Sequence, residues 1–183
     1  IKAPDCFEVE KICKDRMKIP VFHDDQHGTA IVVCAAAKNA LLVAKKQFEN
    51  IKIVSTGGGA AGIACLNMLV KLGVKKKNIW LCDKHGLVYV GRSIDMNSEK
   101  SAFAQNTNFR SLEEVIEKAD MFLGLSGSNV LKPALIKKMG TKPIIFALAN
   151  PNPEVMPDTA RKAAPDAIIA TGRSDFSNQV NNV

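Results

Sequence analysis

The stretch FHDDQHGTA, residues 22–30, sets His23 and His27 four positions apart with Asp24 and Asp25 between them. On a helix that spacing puts both rings on one face, the arrangement by which zinc proteases hold their metal. Three features argue against zinc. Position 24 is Asp where that motif needs a glutamate base, and Gly28-Thr29 is expected to open a helix after the stretch. The only other histidine, His85, lies far along the chain. Adjacent carboxylates after the strand-like run IPVF suit a hard ion such as Mg²⁺ or Mn²⁺ better. They also suit a helix amino terminus, where anions are stabilised by the backbone dipole. The residues leave metal ligation and capping open.

A second group is the turn Gly57-Gly58-Gly59-Ala60-Ala61-Gly62, which satisfies GxGxxG. It follows the apolar run IKIVST (51–56) and precedes the helix-like IACLNMLVKLG. In that context Gly57 permits a tight turn, Gly59 lets a pyrophosphate approach the backbone, and Gly62 lets helix and strand pack closely. Unpaired N–H groups at Ala60 and Ala61 would face the phosphates. Asp83 ends the next strand candidate, NIWLCD (78–83), roughly twenty residues beyond Gly62, where a carboxylate can take ribose hydroxyls. A carboxylate there repels a 2′-phosphate, but Lys84, Arg92 and Lys100 follow and can offset it. Charge alone therefore leaves NAD and NADP open. Asn150 closes the run PIIFALAN, and Asn181 and Asn182 follow RSDFSNQV; such amides can serve a ligand or shape a turn.

These residues need a scaffold, and the chain supplies alternation. MFLGLS (121–126), PIIFALAN (143–150) and AIIAT (167–171) are further short apolar runs. Helix-like segments stand between them: SLEEVIEKA (111–119), with Ser111 and Glu114 as a capping box, and PALIKKMG (133–140). TAIVVCAAAKNALLVAKK (29–46) reads as a long apolar helix capped by Thr29. Apolar strands alternating with helices predict an α/β fold. Its form is Rossmann-like and doubly wound, a mostly parallel sheet with helices on both faces. Ligands of such sheets bind beyond the carboxyl ends of the strands.

Composition narrows the class. Of 183 residues, 46% are hydrophobic and 23% charged, an ordinary globular balance. No uninterrupted apolar run approaches the roughly 20 residues of a membrane span, so no membrane is expected. The net charge of +7 comes from scattered lysines at expected helix ends, and aromatics at 5% are too few for base stacking. Nucleic acid is not an expected partner. Five cysteines, Cys6, Cys13, Cys34, Cys65 and Cys82, form no CxxC pair, which points to reduced thiols and a cytoplasmic location.

Taken in order, FHDDQHGTA, GGGAAGIA, IWLCDKHGLVYVGR, FALANPNPE and RSDFSNQVNNV make the chain resemble the malic enzymes along almost its whole length. The region is their NAD(P)-binding domain, and the linker from KIP to HDDQHGTA is similar to the prokaryotic-type members. The resemblance implies oxidation of L-malate with NAD or NADP and decarboxylation to pyruvate and CO2, using Mg²⁺ or Mn²⁺. Asp25 matches the metal-binding aspartate and Asp24 the carboxylate beside the catalytic groups. Asn150 and Asn182 match amides that contact malate or the nicotinamide. Gly57, Gly59, Ala60, Ala61, Gly62 and Asp83 match the cofactor turn and ribose contact. A lysine at the position of Lys100 meets the 2′-phosphate in some members, which favours NADP. The family's remaining metal ligands, a Glu-Asp pair, and its lysine base and tyrosine acid precede the segment matched here. Residues 1–183 are thus expected to be one domain of a longer enzyme, inactive alone and forming a dimer or larger assembly. Two rivals stay in view, another NAD(P)-dependent dehydrogenase and a nucleotide-binding module without chemistry of its own.

Overall fold

The computed structural model describes residue 1 and residues 3–181. Helix α1 (Asp5–Arg16) leads through an extended segment into α2 (Asp24–Ala44). Then come β1 (Ile53–Thr56), α3 (Ala60–Lys71), β2 (Ile79–Asp83) and the two-residue β3 (Gly86–Leu87). The second half holds α4 (Ser98–Ser101), α5 (Leu112–Val115), β4 (Met121–Gly124), α6 (Pro133–Ile136), β5 (Ile144–Ala147), α7 (Pro157–Ala163) and β6 (Ile168–Thr171). The sheet order is β3-β2-β1-β4-β5-β6, parallel except for β3. The winding reverses between β1 and β4, so the crevice beyond their carboxyl ends is the expected ligand site.

Each central strand is buried on both faces, as its apolar sequence requires. Ile53, Leu81, Met121, Leu123, Ile144 and Phe146 pack under α2 and α3, while Val54, Cys82, Phe122, Ile145 and Ala147 face α5, α6 and α7. Successive residues of β4 and β5 thus enter opposite cores, the period of two that a pleated strand imposes. Phe122 and Phe146 anchor the two cores, each about 2–3 kcal/mol of apolar burial. The Ser111–Glu114 capping box forms, with Glu114 accepting from the Ser111 N–H at 2.8 Å.

Two expectations are corrected. IPVF forms no strand, because no neighbouring strand pairs with it, and Ile19 and Phe22 are exposed. Helix α2 starts at Asp24, not Thr29, with His23 as its N-cap residue. The acid pair therefore occupies the first turn, where its charge favours the helix. Gly28 sits inside the helix because Asp24 folds back over it; a Cβ there would collide with the Asp24 carboxylate.

Helix α2 has 21 residues, about 31 Å at 1.5 Å per residue. Among the described residues it is the one helix long and apolar enough to cross a membrane. Here its stripe Ala30, Val33, Cys34, Ala37, Ala40 and Leu41 is buried in the core that α3 shares. Just past its carboxyl end Lys46 donates to Asp120 Oδ1 and the Thr141 carbonyl, both at 2.7 Å. Those residues precede β4 and β5, so this end of α2 lies at the amino edge of the sheet. A four-residue strand spans only about 13 Å. The helix is thus longer than the strands, and Asp24 and Asp25 occupy the end opposite the Lys46 tie.

Candidate functional site

At the carboxyl end of β1 the chain turns sharply. Gly57 has φ +105°, and a side chain there would also strike the Leu125 carbonyl. Its N–H donates to the Cys82 carbonyl at 2.9 Å, tying the turn to β2. Gly62 packs against the carbonyl of Gly57, where a Cβ has no room. Gly59, the N-cap residue of α3, has nothing within 4 Å on its Cβ side. The turn is therefore closed toward the sheet at Gly57 and Gly62 and open at Gly59. The first N–H groups of α3, at Ala60 and Ala61, have no acceptor within the helix. That combination suits a diphosphate.

Beside the turn lies a cavity of about 500 Å³, lined by Thr56, Asp83, Lys84, Glu113, Ser126 and Gly127 among others. It occupies the switch-point crevice, and its volume is in the range of small-molecule sites. Asp83 Oδ1 accepts the His85 N–H at 2.9 Å; Oδ2 accepts from Arg92 at 2.5 Å and Lys100 at 3.0 Å. Burial by itself would raise this carboxyl, but the bonds from Arg92, His85 and Lys100 outweigh it and hold Asp83 below the usual range. A carboxylate offers about four acceptor positions. With three in use, one remains.

Lys100 lies against the glycine turn, paired with Asp83. Its side chain is only 7% exposed, and the ammonium is engaged by Asp83 and by the Asp95 carbonyl at 2.7 Å. It packs over Gly58 as an internal counter-ion rather than presenting a cation to the cavity. Lys84, with a side chain 74% exposed and its ammonium 3.8 Å from Asp95 Oδ2, is a cation on the cavity wall. Arg92 and Lys100 do offset Asp83, as the charge pattern suggests.

The other candidates sit at neighbouring strand ends. Asn150 is exposed just after β5, its amide against Gly172, which follows β6. Asn181 follows Val180, whose N–H donates to the Thr171 carbonyl at 2.8 Å at the end of β6. Asn182 lies outside the described residues. Asp25 is 80% exposed, with its carboxylate 3.8 Å from His23. Neither histidine turns toward a metal set: His23 meets Gln26 at 2.8 Å, and His27 meets Glu10 of α1 at 2.5 Å. Among the described residues no three His, Cys, Asp or Glu side chains gather as ligands. The exposed oxygen of Asp25 suits a hard cation, but a cation there needs further donors.

One residue was not singled out from the sequence. Glu154 is fully buried in the loop after β5 and accepts from Ser126 N at 2.9 Å and Ala149 N at 3.1 Å. A glycine inside the apolar strand MFLG was its signal, since Gly124 leaves the space that the Glu154 carboxylate fills.

A doubly wound sheet with a glycine turn at its switch point and a carboxylate at the end of β2 defines a dinucleotide-binding domain of the dehydrogenase type. The family model described as malic enzyme, NAD binding domain, matches residues 26–182, and the chain belongs to that family. It is 58% identical to an NAD-dependent malic enzyme of Rhizobium meliloti and 53% identical to an NADP-dependent malic enzyme of Salmonella typhimurium. Both matches use the whole chain yet only 24% of the relative. The crystal structure of an NAD-dependent malic enzyme from Thermotoga maritima superposes with a TM-score of 0.92 at 46% identity, covering all of this chain and 49% of that one.

Proposed function

We propose that this chain is the dinucleotide-binding part of an enzyme that oxidises L-malate with NAD(P) and decarboxylates the product to pyruvate and CO2. The observation that carries the reading is membership of the malic enzyme NAD-binding family with the glycine turn, cavity and Asn150 at one edge of the sheet. In this reading the N–H groups of Ala60 and Ala61 hold the diphosphate, and Gly59 gives it clear approach. Asp83 accepts one ribose hydroxyl. Lys84 meets a 2′-phosphate, so NADP is accommodated alongside NAD. Asn150 orients malate or the nicotinamide amide, and Asn182 joins it. Asp25 binds Mg²⁺ or Mn²⁺ with ligands supplied from outside these residues, and Asp24 stands next to it. Such an ion, when bound, polarises the substrate's C2 oxygen and helps the carboxylate depart. The base and acid belong to another part of the full-length protein, which works as a dimer or larger assembly.

A reducing cytoplasm fits the thiols. All five cysteines are free, and burial pushes Cys34 and Cys82 up to about 12, so neither is a thiolate at neutral pH. The deciding experiment supplies the full-length protein with L-malate, NAD or NADP, and Mn²⁺, and follows nicotinamide absorbance and pyruvate together. Malate-dependent reduction with equimolar pyruvate, abolished by EDTA, is expected. Oxidation of an amino acid instead, or turnover indifferent to EDTA, overturns the proposal.

A further inference from the structure

Glu154 is an ionisable side chain with no solvent exposure, and nothing so far assigns it a task. Its two oxygens face different segments. Oε1 accepts from Ser126 N at 2.9 Å, with Ser126 Oγ at 3.4 Å; Oε2 accepts from Ala149 N at 3.1 Å. Two backbone bonds run alongside, from Asn129 N to the Pro153 carbonyl at 3.3 Å and from Leu131 N to the Glu154 carbonyl at 3.1 Å. Ser126 Oγ in turn lies 2.9 Å from Thr56 Oγ1, at the end of β1. The carboxylate thus joins the turn after β4 to the loop after β5, and through Ser126 it reaches β1.

The chemistry of that junction is demanding. Both oxygens receive backbone N–H groups, so an acceptor is needed on each side. A carboxylate provides two, whereas a glutamine must turn its NH2 donors toward one N–H. Burial pushes Glu154 above the usual carboxyl range, while the bonds from Ser126 and Ala149 pull the other way. Both clamped segments carry candidate ligand contacts. Ser126 and Gly127 line the cavity, and Asn150 lies between Ala149 and Glu154. The glycine turn is held to β2 by Gly57 N to Cys82 O, and the clamped segment also meets β1 through Leu125 N to Thr56 O, each 2.9 Å.

We propose that Glu154 is a positioning residue: its buried carboxylate fixes the Asn150 loop relative to the dinucleotide cavity, so that the substrate-side amide meets the nicotinamide end in reactive register. The proposal rests on the malate reading of Asn150. A displacement near 1 Å at a reacting centre can cost a hundredfold in rate.

The test uses full-length protein with Glu154→Gln and Glu154→Asp, the latter keeping charge but losing reach. Hydrogen exchange by mass spectrometry should show segments 124–131 and 148–155 opening faster together, with β1 and β2 unchanged. The kcat/KM for malate should fall tenfold or more while the dissociation constants of NADH and NADPH stay within threefold. Unchanged malate kinetics, or equal losses in malate turnover and dinucleotide binding, overturns the positioning role. So does exchange confined to one segment. If Glu154→Gln fails to fold, the same measurements on Glu154→Asp decide. Wild-type protein that ignores malate refutes the functional reading instead, and the exchange pattern alone then decides whether Glu154 couples the two segments.

Discussion

Replacing Asp83 with alanine should lower stability and shift cofactor preference together. The side chains of Arg92 and Lys100 are 3% and 7% exposed, so removing their shared carboxylate leaves two enclosed cations short of a partner. Breaking a buried pair of this kind costs about 3–5 kcal/mol. The loss here should be lower, about 2–3 kcal/mol. Arg92 keeps the carbonyls of Ile94, Gly86 and Leu87, and Lys100 keeps both the Asp95 carbonyl and, at 3.2 Å, the Asp95 carboxylate. For a domain of this size that is roughly 5–10 °C in Tm. The same change removes a negative charge from the cavity wall. Taking ~6 Å to a 2′-phosphate and an effective dielectric of roughly 20–40, the relief is about 1.5–3 kcal/mol, or roughly 10–100-fold in favour of NADPH over NADH. Parallel fluorescence titrations with both reduced dinucleotides, with thermal melts of the same samples, measure both effects. A lowered Tm with an unchanged NADPH-to-NADH ratio would show that Asp83 does not face the ribose. An unchanged Tm would refute the energetic role of the ion cluster.

The two glycines at the start of α3 should separate stability from binding. Gly62→Ala drives a Cβ into the Gly57 carbonyl and should cost about 1–3 kcal/mol, seen as a lower denaturant midpoint. Gly59→Ala meets nothing and should melt within about 2 °C of wild type; its NADH affinity should still drop tenfold, and equal affinity would remove Gly59 from the phosphate site. Because the folded pKa of Asp83 is lowered, its stabilisation is complete above the unfolded value of about 3.9 and is lost as pH falls through the folded one. The Tm gap between wild type and Asp83→Asn should therefore stay level from pH 6 to about pH 4 and narrow as the pH falls further, and a gap constant down to about pH 2 would contradict the linkage. Asp25→Asn in the full-length protein should weaken Mn²⁺ binding at least tenfold by paramagnetic titration; unchanged affinity refutes the ligand assignment.

The parts legible in the sequence were those encoded by neighbours in the chain. Five of the six strands announced themselves as apolar runs between polar turns, the two-residue β3 being too short to do so. The glycine turn lies within six residues, so the doubly wound sheet and its binding edge could be read directly. What escaped depends on contacts between distant residues. Gly28 looks like a helix breaker until Asp24 is seen folded over it. Lys100 reads as a free cation in the sequence, whereas the chain brings it back onto Asp83, seventeen residues earlier, where it is paired. Glu154 looks like an ordinary loop glutamate. Only the hole left by Gly124 on another strand explains why a charge can be enclosed there. Local patterns specify the scaffold, whereas the state of a charged group depends on which partner the fold delivers.

Helix α2 is a rod about 31 Å long, tied near one tip by Lys46 and carrying Asp25 near the other. It acts as a lever. Asp120→Ala removes one of the two acceptors that hold Lys46; the buried stripe still seats the helix, yet a tilt of only about 2° over some 30 Å moves the Asp25 tip by about 1 Å. A lesion on the side of the molecule remote from any ligand would then present as a kinetic defect, with the dinucleotide cavity itself untouched.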